Sequence, residues 1–172
     1  MLRSLSCRAE SEMLRLYTVS FFGHRIIEDF NRAEKKAEAI IRELILQKEY
    51  VEFLVGRGRD FDQIVYAAVK RLQRRIKADN SSLVWILPYP TAELRNNEES
   101  FQAYYDEIEI CDVAQNSHPK RAYQIRNRQM VDRSDLVVFY VEHNSGGAYQ
   151  TMRYAQEKGK RIINLAERQD EE

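Results

Sequence analysis

The chain has 172 residues, with 27 Lys+Arg against 27 Asp+Glu, 44% hydrophobic and 31% charged residues. That length suits one domain with one substantial core, and the composition is too apolar for a disordered chain. A net charge of +0 gives no global basic field. It disfavours a protein that coats nucleic acid with its whole surface and leaves open only a local basic cleft.

Residues 1–14 read as an unstructured extension, too short in apolar length for a secretory signal, with Met13 an alternative start to Met1. Leu16 to Phe22 then reads as a short buried strand. From Glu28 to Lys48, Phe30, Ala33, Ala37, Ile40, Ile41, Leu44 and Ile45 recur at helical spacing, with charges on the opposite face. Val51–Val55 is the second strand. Phe61 to Lys77 is a second amphipathic helix, with Ile64, Val65, Ala68, Val69, Leu72 and Ile76 inward and Asp60 or Asp62 as its cap. Ser82–Leu87 is a third strand, stopped by Pro88-Tyr89-Pro90. Residues 91–118 are irregular, aromatic at Phe101, Tyr104 and Tyr105, with a short strand at Glu107–Cys111. An insertion of this kind reads as a lid or an oligomer contact. Pro119 to Arg133 is a helix with proline in its first turn, and Leu136–Val141 is the most apolar strand. Ala148–Lys158 is a helix closed by Gly159 at its C′ position; Arg161–Leu165 is the last strand, followed by a solvated tail at 167–172. The alternation predicts one α/β domain over 15–166, three layers around a mainly parallel sheet of about five strands.

Three glycine-bearing turns each follow an apolar run: Gly23-His24-Arg25, Gly56-Arg57-Gly58-Arg59-Asp60-Phe61-Asp62, and Ser145-Gly146-Gly147-Ala148. In an open parallel sheet such joints share one edge, where helix N-termini offer free N–H groups and partial positive charge. The expected ligand is therefore an anion, most simply a phosphate or nucleotide. The Gly146-Gly147 pair permits close approach to backbone, and Arg25 and Arg57 can pair with phosphate. Arg59 can do the same, and Arg57 and Arg59 both read equally as surface charges. Asp62 could accept a ribose hydroxyl, although capping is the simpler role for it and for Asp60. The second turn is neither a Walker A loop nor a G-x-G-x-x-G fingerprint. His24 sits at a helix N-terminus, where the neutral imidazole is favoured. His118 and His143 lack partners at ligand spacing, so no metal is expected. Two distant cysteines, Cys7 and Cys111, form no disulfide framework and suit a reducing cytosol. No apolar run approaches ~18 residues, so no membrane span is expected. In the helix before the most apolar strand, Arg126 and Met130 share a face, Met130 in the core and Arg126 at its rim, beside Asn127.

Taken together, Phe21 to Arg25, Val55-Gly56 through Phe61-Asp62, Ile125 to Met130, Asp132-Arg133-Ser134-Asp135, Ser145 to Ala148, Tyr154-Ala155 and Gly159-Lys160 resemble the SLOG superfamily. That Rossmann-like group contains the LOG phosphoribohydrolases and the DNA-processing protein DprA/Smf; the finer resemblance is to small bacterial single-domain proteins of the YpsA type. The resemblance implies a Rossmann-like domain whose Gly-Gly turn holds a nucleotide-derived phosphate, with pairing into a homodimer. Arg126 and Met130 fit the LOG Arg-x-x-x-Met segment. Where LOG enzymes continue Gly-Gly-x-Gly-Thr-x-x-Glu, this chain has Gly146-Gly147-Ala148-Tyr149-Gln150-Thr151-Met152-Arg153, without the second glycine turn and the catalytic glutamate.

The expected function is binding or sensing of a phosphorylated nucleotide ligand, ADP-ribose-like, cyclic or a mononucleotide. Gly23, His24, Arg25, Gly56, Arg57, Gly58, Asp62, Arg126, Asn127, Ser145, Gly146 and Gly147 would form the site. Tyr89, Tyr104, Tyr105 or Tyr123 would stack the base. The alternative is a nucleosidase or phosphoribohydrolase using Asp62, Glu107 or Glu109 as its carboxylate. No resident cofactor is expected. Balanced charge places nucleic acid last among partners.

Overall fold

A computed structural model describes residues 14–168 except 113 and 115. The expected N-terminal extension before Leu14, the alternative start and the end of the tail lie outside the described residues. The strands are β1 (Leu16–Gly23), β2 (Tyr50–Val55), β3 (Ser81–Leu87), β4 (Glu107–Ile110), β5 (Leu136–Tyr140) and β6 (Arg161–Asn164). They form one sheet in the order β4-β3-β2-β1-β5-β6, every neighbouring pair parallel. The α/β class and parallel sheet are as the alternation predicts. The sheet has six strands rather than about five, because the short segment after the insertion pairs fully with β3, Trp85 opposite Ile108.

The helices are α1 (Phe30–Gln47), α2 (Asp60–Arg75), α3 (Ala92–Asn96), α4 (Glu98–Tyr104), α5 (Pro119–Arg133) and α6 (Gly147–Glu157). Side chains alternate across each strand, so the sheet carries two cores. Val19, Phe21, Phe53, Val55 and Trp85 face α1 and α2, meeting Ala37, Ile41, Phe61, Val65 and Leu72. Phe22, Leu54, Val84, Ile86 and Phe139 face α5 and α6, meeting Met130, Val131, Ala148 and Ala155. Phe30, expected inward, stands 42% exposed, because Asp29 at the N-cap starts the helix there, accepting from Arg32 N–H at 3.1 Å.

Asp60 does not cap α2, whereas Asp62 reaches back from the first turn to accept from the Arg59 backbone N–H. The N-cap of the helix is Arg59, without a side-chain bond, while Asp60 Oδ2 accepts from Ile27 N–H at 3.0 Å and staples the loop after β1. The insertion is not a lid. Phe101 and Tyr105 close the α1/α2 core around Trp85, with ring centroids 5.1 and 5.2 Å from it, and Tyr104 packs edge-on to Tyr66 at 5.7 Å. Burial of those rings holds α3 and α4 in place and delivers β4 to the sheet edge.

Gly23 has no room for a side chain: a Cβ there would overlap the Cβ and Cγ of Phe61. The first turn of α2 can lie against the end of β1 only because that position is glycine. Gly23→Ala is expected to reduce the unfolding free energy by about 1–3 kcal/mol through overpacking. The reading is a lower urea midpoint at unchanged slope; an unaltered midpoint would mean Phe61 yields without cost.

Candidate functional site

Strand order reverses at β1, with β2 on one side and β5 on the other. In open α/β sheets the crevice for ligands opens at such a point, beyond the strand C-termini. His24 follows β1 directly and bridges the opening. Its Nε2 accepts from Glu142 N–H at 2.9 Å, and its ring stacks on His143 at 3.7 Å and 8°. Burial, then the neighbouring His143, lowers its pKa. His24 is thus a clasp between two strand ends, with Nε2 occupied as an acceptor rather than free to donate to a phosphate.

The turn after β2 splits its two arginines. Gly58 takes φ +99°, a left-handed conformation suited to glycine. Arg57 leaves toward the α1/α2 face. Its Nε donates to Glu93 at 2.9 Å and its Nη1 to the Tyr105 hydroxyl at 3.1 Å, and its guanidinium lies 4.6 Å from the Phe101 ring. Arg57, Tyr104 and Tyr105 thus belong to the aromatic cluster around Trp85 and line neither the hollow nor the cleft described next. Arg59 turns the other way and lies against α6, 3.3 Å from where a Cβ on Gly147 would stand. Arg25 is exposed beside the rim.

Gly23, Gly56, Asp62, Arg126 and Asn127 do converge from distant parts of the chain. With Phe21, Phe22, Arg59 and Ala148 they line a hollow of about 10 Å³, room for at most one water molecule. A nucleotide phosphate does not fit there. Arg126 fills the space: its Nη1 donates to Ile86 O at 3.2 Å, and its Nε and Nη2 donate to Asn127 Oδ1 at 3.1 and 2.8 Å. Asp62 lies beside it, buried, its carboxyl pushed up to about 6 by loss of solvent, against the opposing pull of Arg126 and Arg59.

The open cleft lies next door. It has a volume of about 510 Å³ and is lined by the facing stripes of α5 and α6. Lys120, Tyr123, Gln124, Asn127 and Arg128 come from α5; Gly147, Gln150, Thr151 and Tyr154 come from α6, and Arg59 closes the end. Three of these residues are cations, and no described carboxylate is among them. Tyr123 is 37% exposed and edge-on to Tyr89 at 5.9 Å. Arg128 lies 5.0 Å from the Tyr154 ring. Ser145 and Gly146, the latter at φ +91°, form the turn that starts α6 at the cleft's mouth.

Sequence reasoning missed Lys120, Gln124, Arg128, Gln150, Thr151 and Tyr154 as site residues. A signal existed: on both helices these polar residues recur three and four positions apart, the spacing of one helical face. The carboxylates considered for catalysis are scattered. Asp62 is sealed in the hollow, and Glu107 is exposed at the start of β4. Glu109 is held by Arg133 Nη1 at 2.6 Å, in a network with buried Glu52. They share no cavity. Among the described residues no cluster of His, Cys, Asp and Glu could hold a metal, and no helix is long and apolar enough to cross a membrane.

No family model matches the chain, and no curated protein matches it in sequence. Solved structures do match in fold. DNA processing protein A from Helicobacter pylori, described for its single-stranded DNA binding mode, superposes with a TM-score of 0.57 at 19% identity, over 90% of this chain and 67% of that one. DNA processing protein A from Streptococcus pneumoniae superposes with a TM-score of 0.63 at 15% identity, over 86% of this chain. The chain spans about half the length of that protein, 49%. These neighbours share the Rossmann-like fold.

They also overturn two expectations. The matching folds are DNA processing proteins, one a binder of single-stranded DNA, which points away from a nucleotide sensor and removes the ground for ranking nucleic acid last. Balanced net charge misled because it sums the whole surface, whereas the cleft lining is locally cationic.

Asp62 makes a prediction about pH. Burial raises its folded carboxyl from the ordinary 3.8 to about 6, so the folded state holds a proton that the unfolded chain releases. Stability from this group is complete below about pH 4 and is lost as pH rises through about 6, on the order of 2–3 kcal/mol. Asp62→Asn should flatten that decline in urea titrations from pH 4 to 7; parallel curves for the two proteins would refute the assignment.

Proposed function

We propose that the protein binds single-stranded nucleic acid along the cleft between α5 and α6. The observation that carries this reading is the cleft's lining: Arg59, Lys120 and Arg128 interleaved with Tyr123 and Tyr154, with no carboxylate among the described lining residues. Non-specific single-strand binding needs that combination, cations spaced to follow phosphates and aromatic faces on which bases stack. The N-terminus of α6 adds free N–H groups at Gly147 and Ala148 and a favourable partial charge for one phosphate. Of the residues expected to contact phosphate, Asn127 and Gly147 line this cleft, and Ser145 and Gly146 lead into it. The sharing of a fold with a single-stranded DNA binder supports the same class of partner.

The narrower resemblances belong to the same proposal: a bacterial YpsA-like branch, a cytoplasmic setting and a homodimer. The branch and the homodimer rest on the quoted motifs, the cytoplasmic setting on the two distant cysteines, Cys7 and Cys111.

Fluorescence anisotropy with a labelled oligothymidylate tests the reading. Affinity should fall linearly with log salt, with a slope near −0.7 for each phosphate neutralised. Lys120→Gln and Arg128→Gln should each weaken binding and flatten that slope by about 0.7, while Tyr123→Ala should cost about 1–3 kcal/mol with the slope unchanged. No anisotropy change at low salt, or binding indifferent to all three substitutions, would remove the cleft from consideration.

A further inference from the structure

We propose that Arg126 is a positioning residue, one that sets the first turn of α6 for the ligand without touching it. The inference rests on the single-strand reading above for its functional consequence and on the hydrogen-bond geometry for its cause.

Arg126 is 7% exposed and is absent from the residues lining the open cleft. Its donors are directed inward, to Ile86 O at the end of β3 and to Asn127 Oδ1. Two guanidinium bonds on that oxygen leave only the Asn127 amide NH2 to face α6. There Nδ2 donates to Thr151 Oγ1 at 3.2 Å, and Thr151 Oγ1 in turn donates to Gly147 O at 2.8 Å. An unbroken chain of bonds therefore runs from β3 through α5 to the residue that opens α6. Each link fixes the next: the fork selects the orientation of the amide, the amide makes the hydroxyl an acceptor, and the hydroxyl spends its proton on Gly147. Lysine cannot reproduce this, because one ammonium does not supply a planar fork to both acceptors. Gly56 leaves the space that the fork occupies, since a Cβ there would lie 3.2 Å from Nη1 and 3.3 Å from Nη2.

Two measurements on the full chain separate positioning from direct contact. The first needs no ligand. In Arg126→Lys, and in the near-isosteric Thr151→Val, hydrogen exchange at the Gln150 and Thr151 amides should speed up about tenfold, while β5 amides keep their protection. The second uses oligothymidylate. Both variants should bind several-fold more weakly with the wild-type salt slope, and the double variant should be no worse than the weaker single one. Lys120→Gln, a phosphate contact in the reading above, should instead lose about 0.7 of slope. A flattened slope in Arg126→Lys would make Arg126 a phosphate ligand and overturn the inference, as would unchanged exchange in both variants. If wild-type protein binds no oligonucleotide, the proposed function fails while the exchange experiment still decides the role of Arg126.

Discussion

Six strands running in one direction place every strand-to-helix joint on the same edge of the sheet, and the reversal of strand order at β1 opens that edge between β1 and β5. What surrounds the crevice follows from this constraint. Gly23 must be glycine because α2 begins where a side chain would stand. His24 carries the pairing of β1 with β5 one step beyond the strands, its N–H donating to Tyr140 O and its ring accepting the Glu142 amide. The helix after β5 then starts at the crevice with its N–H groups outward, the arrangement by which α/β folds receive anions.

Within that frame, the fate of each charge depends on what lies beside it. Arg57 and Arg59 are two residues apart in one turn, yet one is enclosed by rings and Glu93 while the other reaches Gly147. Elsewhere the carboxylates are paired off the cleft: Glu52 and Glu109 with Arg133, Glu38 with Arg42 and Arg75. A chain with equal numbers of acids and bases can therefore keep a cationic groove, since these acids are paired elsewhere and Asp132 beside it is bonded to the Tyr154 hydroxyl.

The wall of the groove is held by polar bonds as well as apolar burial. Ser20 and Ser134 hydroxyls lie 2.6 Å apart and 3.1 and 2.6 Å from Met130 O; one hydroxyl donates to the other, whose proton goes to Met130 O, anchoring the end of α5 to β1. Arg133 reaches Glu52 of β2, whose carboxylate also accepts from Thr18 at 2.7 Å. Arg126 performs the corresponding task toward β3. Buried polar groups are costly unless satisfied, and these three sets are satisfied by one another. They give α5 a single seating on the sheet and so a defined face toward α6.

Local periodicity was enough to reveal the α/β alternation, the bounds of most elements and the three glycine turns, because burial against a sheet leaves a repeat of two or of 3.6 residues in the sequence. It also brought Gly23, Gly56, Arg126 and Asn127 to one place, since strand polarity alone dictates that edge. It could not show that they close on a hollow of about 10 Å³, because whether a converging set of side chains leaves space depends on their lengths and angles in three dimensions. Nor could it separate Arg57 from Arg59, or place Tyr104 and Tyr105 in a core while leaving Tyr123 at the cleft. Those outcomes rest on contacts between segments far apart in the chain, Tyr105 with Trp85 and Arg128 with Tyr154. Sequence fixes which residues alternate or recur, and only the packing of one helix face against another decides which of them meet a ligand.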